Sequence, residues 1–489
     1  MESMKSNLET HAMEEISLRV AVIGAGVSGL VTARELLREG HRVVIYEKSN
    51  QLGGTWVYDP RVDSDPLGVD PKRETVHSSL YASLRTNLPR HLMSLSDYPF
   101  TDRVYGDPRN FPGHEEVLRF VSDFAREFGL TGLIRFETEV VRVERVDSGG
   151  DGNWVVESRT SGASVMEEFQ AVVVCTGHYA EPKVANLPGI EKWPGKQLHS
   201  HNYRVPKPFQ NQVVVIIGSG ASAIDIFREI ASVAKQVHLS SRSPNVKFPS
   251  FSNTCQHSEV SRRISFLPML HRLSICNFTL YWVRQIRRTS LNTRFYFDYF
   301  LTHMLILCVI FYRYKYSFPF LRTNGIVRVD DNRVGPLYKH VFPPRLSPRL
   351  SFVGIHYKVG WISVVSIIIA TIELQSKWIA RVLSGKAILP SEKEMLADVE
   401  GHYRNMLDRG VPKHHTHAIH PHEFKYLDVI ADLAGVPRVD RRIEKIHEHV
   451  FGFLISSGLD MRQFRDEWNP NDIKYGRIGK TCDILQAKL

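Results

Sequence analysis

The chain has 489 residues, 43% of them hydrophobic, which is enough for two or three domains of ordinary size with substantial cores. Its formal net charge is +10, but between Ser241 and Arg294 nine Lys or Arg stand against one acid, Glu259, so that segment alone carries +8 and the remainder is near neutral. Basicity this local argues against a nucleic-acid partner. Five cysteines (Cys175, Cys255, Cys276, Cys308, Cys482), odd in number and without CxxC spacing, argue against a disulfide framework or a zinc site and for a reducing compartment. The stretch up to Ser17 is polar and lacks a signal-peptide core, so the expected location is cytoplasmic.

The first predicted element is a short buried strand, Leu18-Arg-Val-Ala-Val-Ile23. It runs into Gly24-Ala-Gly26-Val-Ser-Gly29 and then a helix with Leu30, Ala33, Leu36 and Leu37 on its apolar side. Gly40 ends that helix, and Arg42–Tyr46 gives a second strand closing on Glu47. Strand, glycine loop, helix and terminal acid together make the full βαβ dinucleotide fingerprint. Gly24 permits the tight turn, Gly26 lets backbone N–H groups approach a pyrophosphate, and Gly29 lets the helix pack closely on the strand. The helix N-terminus adds partial positive charge for the phosphates. Glu47, 23 residues after Gly24, is placed to accept hydrogen bonds from both ribose hydroxyls of an adenosine. NAD and FAD share this fingerprint. The turn Gly53-Gly54-Thr55-Trp56 tips the choice to FAD, with Gly54 and Trp56 as further contacts.

Further on, Ala171-Val-Val-Val-Cys-Thr-Gly177-His178 reads as a buried strand ending in a Thr-Gly turn, suited to a chain leaving the FAD domain. A second unit follows. Val213–Ile217 is an apolar strand, Gly218-Ser-Gly220-Ala-Ser-Ala223 is its phosphate loop, and a helix begins at Ile224-Asp225-Ile226. The next strand, Gln236–Ser240, ends in Ser241-Arg242 where the first unit has Glu47. A carboxylate there repels a 2′-phosphate and an arginine pairs with it, so NADPH is expected over NADH, with Gly218, Gly220, Ala223 and Arg242 as contacts. The two loops lie 194 residues apart in one chain, an arrangement for hydride transfer from NADPH to FAD.

Between them stands Trp193-Pro-Gly195-Lys-Gln-Leu-His199-Ser-His-Asn-Tyr203. This resembles the F-x-G-x-x-x-H-x-x-x-Y/F signature of the flavin-containing monooxygenases. Ser83–Arg90, His199–Pro206, Pro336–Phe342, Glu373–Trp378 and Arg465–Trp468 are similar to the plant glucosinolate S-oxygenase branch, so that the likeness covers roughly residues 15–245 and 314–470. The resemblance implies that NADPH reduces FAD, that O₂ adds at flavin C4a to give a hydroperoxide, and that a thioether sulfur or an amine nitrogen attacks it. It also implies that Asn87 is the asparagine beside the reactive flavin edge, its amide able to donate and accept hydrogen bonds there. The substrate expected on this likeness is a methylthioalkyl glucosinolate or a similar thioether, with O₂ as co-substrate.

Two segments depart from that pattern. Residues 246–313 do not resemble the family, and the place expected to hold a small Cys-Thr-Gly turn before Tyr314-Lys-Tyr holds Phe311-Tyr312-Arg313. Within it, Phe295–Tyr312 is mostly apolar and arginine-flanked, just long enough for a membrane span but interrupted by Asp298, Thr302 and His303. A span is disfavoured, a buried helix is an alternative, and non-native coding sequence is the preferred account. Val359–Ala370, of strand character, replaces a shorter link.

The expected architecture is α/β, with two Rossmann-like dinucleotide-binding domains. The NADPH domain, 187–321, is inserted in a split FAD domain, 16–186 and 322–489. A disulfide reductase on the same plan needs a redox-active cysteine pair that the chain lacks. N-hydroxylation of an amine is the nearer rival. A non-catalytic FAD-binding remnant or membrane-tethered protein is the alternative outside enzymes, should 246–313 be native.

Overall fold

The computed structural model describes residues 16–146, 152–177, 181–182, 184, 195–218, 220–240, 251–257, 304–308, 315–356, 367–419, 422–456 and 461–473. The chain opens with β1 (Arg19–Ile23), α1 (Val27–Arg38) and β2 (Arg42–Tyr46). It continues through α2 (His114–Glu127), β3 (Ile134–Arg135), β4 (Thr138–Arg145), β5 (Trp154–Thr160), β6 (Ala163–Phe169) and β7 (Ala171–Val174). A second group follows: β8 (Gln197–His199), β9 (Val213–Ile217), α3 (Ala221–Ala231), β10 (Gln236–Ser240), β11 (Thr254–His257) and β12 (Met304–Cys308). The remainder is β13 (Leu321–Arg322), the hairpin β14 (Arg328–Asp330) and β15 (Arg333–Gly335), β16 (Leu350–Phe352), and five helices: α4 (Ile368–Leu383), α5 (Glu392–Asp408), α6 (Glu423–Ala434), α7 (Arg441–Ser456) and α8 (Met461–Glu467).

Among the described residues, two five-stranded parallel sheets organise the molecule, in the orders β16-β7-β1-β2-β3 and β11-β10-β9-β12-β8. Their inner strands are continuous apolar runs (Val20 to Ile23, Val172 to Val174, Val214 to Ile216), as strands covered on both faces must be. The first sheet takes β16 from beyond the second sheet, so the chain leaves it, builds the other and returns. A third sheet, β13-β4-β5-β6, carries the meander β4–β6.

Helix α1 lies between the first sheet and α4. Leu30, Ala33 and Leu36 are fully buried, as their spacing predicts, whereas Leu37 is 37% exposed. The 3.6-residue period carries Leu37 round to the solvent side. On the covered side Arg34 is buried among Glu35 (2.6 Å), Asp97 (2.9 Å) and the rings of Phe124 and Phe128, so its charge is paired where it is desolvated.

Two expectations are corrected. Met304–Cys308, inside the segment read as foreign, is neither a helix nor a span. It is β12, paired with β9 on one side and β8 on the other at the interior of the second sheet. Ile368, Ile369 and Ala370, read as strand-like, form the first turn of α4. Beyond those three, Val359–Ser366 lie outside the described residues, as do 258–303 and 309–313. Among the described residues no helix is long and apolar enough to cross a membrane.

Candidate active site: two phosphate loops and the joint between them

At the C-terminal end of β1 the chain turns at Gly24 with φ +108°, and its N–H donates to the Tyr46 carbonyl at 2.8 Å. A Cβ on Gly24 would stand 2.6 Å from the Cys175 carbonyl oxygen, and one on Gly29 would stand 1.8 Å from the Gly24 carbonyl oxygen. Both positions therefore require glycine, one for its dihedral and the strand beside it, the other for the approach of α1. Gly26 caps α1 in extended conformation. Its Cα faces that of Gly54, where an added Cβ would meet it at 3.0 Å, and Gly53 N–H donates to the Ala25 carbonyl at 3.0 Å. The Gly-Gly-Thr-Trp turn is thus fastened onto the phosphate loop. Trp56 ends that turn and packs against the core, lining one cavity with Val27. Gly354, following β16, closes the far side, since a Cβ there would meet Ser28 Oγ at 2.9 Å.

Glu47 reaches back under the loop. One carboxylate oxygen accepts from Ala25 N–H at 2.8 Å, and the other from the Ser49 N–H and hydroxyl at 2.8 and 2.7 Å. A carboxylate has about four acceptor sites, so this arrangement leaves room for about one ribose hydroxyl while Ser49 stays in place. Ser49, which no motif in the sequence marks, is the residue that shares this carboxylate.

The second unit repeats the first. Gly218 has φ +128° and donates to the Ser240 carbonyl at 2.9 Å, and Gly220 caps α3 at φ −73°, ψ 173°, against −75° and −177° at Gly26. Where the first unit has Gly29, the second accepts the fully buried methyl of Ala223. Neither α1 nor α3 has a capping side chain or an acid in its first turn. By contrast α5 closes its own N-terminus with a Ser391/Glu394 capping box. The two loop helices therefore keep unsatisfied N–H groups and dipole charge for an anion. Arg242, expected to take the 2′-phosphate, lies outside the described residues.

The sequence did not foretell how the two units meet. Asp225 and Glu229, one helical turn apart on α3, present two carboxylates on one face toward the first unit. Asp225 accepts from the Tyr81 hydroxyl at 2.8 Å and from both terminal nitrogens of Arg465 at 3.1 and 2.9 Å. Arg465 also donates to Asn87 Oδ1. Glu229 accepts from the Tyr203 hydroxyl at 2.6 Å and from Ser83. The signature tyrosine thus braces α3 within the second unit, and its ring lies edge-on to Tyr81 of the first at 5.8 Å. His199 is buried at the end of β8, where burial pushes its imidazole down to about 4. Burial and the neighbouring Asp225 raise the Glu229 carboxyl, though its bond to Tyr203 opposes this. For Arg465, burial opposes its charge, and Asp225 together with Tyr81 and Asp466 leaves its pKa raised. Beside this joint opens a cleft of about 810 Å³ lined by Arg85, Arg109, Asp225, Glu229 and Arg465, among others. Cys175 is buried in the core with its thiol pushed up to about 12, which is a packing role.

Two glycine-loop units on parallel sheets, with an acid under the first loop, define a two-dinucleotide flavoprotein oxidoreductase. A family model described as flavin-binding monooxygenase-like matches residues 17–300 and 285–440, ranges that together span the whole of 246–313 and correct the expectation that this segment does not resemble the family. Flavin-containing monooxygenase FMO GS-OX3 of Arabidopsis thaliana is 45% identical over 94% of this chain and 92% of its own length, and FMO GS-OX5 of the same plant is 45% identical over 97% and 96%. The solved S-allyl-L-cysteine S-oxygenase from Allium sativum is 44% identical, covers 94% of this chain and 97% of its own, and superposes with a TM-score of 0.79. The chain belongs to the flavin-binding monooxygenase-like family. It is an NADPH-dependent, O₂-using oxidoreductase with FAD and NADPH as its cofactors.

Proposed function

We propose that the protein oxygenates the sulfur of thioethers, with methylthioalkyl glucosinolates and S-alkyl cysteine derivatives as the substrate class. The observation that carries this reading is the 44–45% identity, over at least 94% of the chain, to relatives named as S-oxygenases of these two kinds. The balanced reaction consumes thioether, O₂, NADPH and a proton, and yields sulfoxide, water and NADP⁺. The bound flavin supplies the oxygen chemistry, which no side chain can perform.

The protein's own residues bind, orient and exclude water. In this reading Gly24, Gly26 and Gly29 with the α1 N-terminus hold the FAD pyrophosphate, Glu47 a ribose hydroxyl, and Gly54 and Trp56 the flank of the cradle. Gly218, Gly220 and Ala223 with α3 hold the NADPH pyrophosphate, and Arg242 its 2′-phosphate. Asn87 is the catalytic residue, its amide beside the reacting oxygen. The domain limits follow: 16–186 and 322–489 around FAD, 187–321 around NADPH.

Incubation with FAD, NADPH and, separately, a methylthioalkyl glucosinolate, S-allyl cysteine and a primary amine tests this, with products read by mass. Sulfoxides are expected from the first two. Exclusive oxygenation of the amine makes the protein an N-hydroxylase, and NADPH consumption without any oxygenated product contradicts the proposal.

A further inference from the structure

Arg465 belongs to a stretch that the dinucleotide chemistry does not account for, and it is a buried charge at the joint. It is 5% exposed on α8, whose neighbours Phe464 and Trp468 are 0% and 3% exposed. Both rings lie against Phe111, at 5.3 and 5.5 Å. Asp225 grips the guanidinium through two nitrogens, and Tyr81 in turn holds Asp225. Its position is fixed from three directions. Replacing such a buried pair by apolar groups is often neutral for stability, so folding alone gives little reason for an arginine here. The Nε–H is buried and has no partner among the described residues.

One contact has a directional consequence. Arginine carries donors and no acceptor, so whichever end of the Asn87 amide faces it must be the oxygen. The contact is indeed from Arg465 Nη2 to Asn87 Oδ1. The Nδ2 hydrogens then point away from Arg465. We propose that Arg465 is the positioning residue that sets the Asn87 amide with its N–H end toward the reacting oxygen. This rests on the reading of Asn87 given above. An amide donor aimed in advance stabilises negative charge developing on that oxygen, whereas the reversed amide presents a lone pair and repels it. Because Asp225 sits on α3, the amide is set when the helix of the second phosphate loop is docked.

The test uses the full-length holoenzyme with Arg465→Lys, Arg465→Gln and Asn87→Asp. Lysine, like arginine, only donates, whereas glutamine can donate or accept and so permits the amide to turn. Asn87→Asp keeps an acceptor for Arg465 and removes the N–H donor. The readout is the fraction of oxidised NADPH that ends as hydrogen peroxide rather than sulfoxide, alongside FAD affinity by fluorescence quenching. Arg465→Gln and Asn87→Asp are expected to raise the peroxide fraction by roughly tenfold, and Arg465→Lys by much less. FAD affinity is expected to stay within about threefold in all three, since none of the contacts is to the phosphate loops. Equal peroxide fractions for the lysine and glutamine variants, or loss of FAD from either, overturn the proposal. An Asn87→Asp enzyme as well coupled as the unsubstituted one instead brings down the reading of Asn87.

Discussion

At Gly29 a single hydrogen atom separates a working phosphate loop from a blocked one. A methyl there would lie 1.8 Å from the Gly24 carbonyl oxygen, a backbone atom that cannot step aside without moving α1 off its strand. Gly29→Ala is therefore expected to abolish FAD retention, read as loss of the yellow flavin absorbance after gel filtration. Gly132→Ala, whose Cβ meets nothing within 4 Å among the described residues, should retain FAD and stay within about 0.5 kcal/mol of the unsubstituted stability. These glycines were legible in the sequence because a fixed spacing encodes their job. The partners of Glu47 were not: Ser49 is two residues away, and nothing in a linear pattern says that its hydroxyl fills the carboxylate.

Residues that grip across elements were the least legible, because the pairing of α3 with the first unit is a fact of docking and leaves no period in the sequence. Two carboxylates four residues apart at Asp225 and Glu229 were the available signal, readable only as one face of a helix. Tyr203→Phe removes the hydroxyl that Glu229 accepts from, leaving a half-buried carboxylate short of a partner. A loss of about 1–3 kcal/mol in chemical denaturation is expected, with FAD still bound. Strand β12 is as hard to read: its five residues lie inside an apolar run in which a span is disfavoured, a buried helix is an alternative and foreign coding sequence is the preferred account. Periodicity alone cannot separate these, and only pairing with β9 and β8 decides. Ile306→Pro puts a residue without an N–H opposite Gln197 and Val215 at the sheet's interior. NADPH should then fail to reduce the flavin, while flavin absorbance is retained. Unchanged reduction by NADPH would mean that β12 is not part of the working second unit.

For the whole molecule the α/β class, the two parallel sheets and the order of the two units were readable, since each unit announces itself with strand, loop and helix. Two buried histidines make the assembled protein sensitive to acid. Burial holds His199 and His356 down at about 4 from an ordinary 6.5. The unfolded chain takes up protons below 6.5 and the folded one does not until about 4. The stability these neutral rings confer is thus complete above pH 6.5 and is lost as the pH falls toward 4. The melting temperature should fall steadily from pH 7 to pH 5, and an added His356→Gln substitution should flatten that fall. A melting temperature that rises over this range would contradict the burial of neutral imidazoles.

In the reaction proposed, NADPH electrons cross from the second loop to flavin on the first, and one atom of O₂ is placed on sulfur. Turnover of a methylthioalkyl glucosinolate under isotopically heavy O₂ tests it most directly. One heavy oxygen in each sulfoxide and one NADPH consumed per product formed are expected. Sulfoxide carrying oxygen from water, or NADPH oxidised to hydrogen peroxide alone, would contradict it.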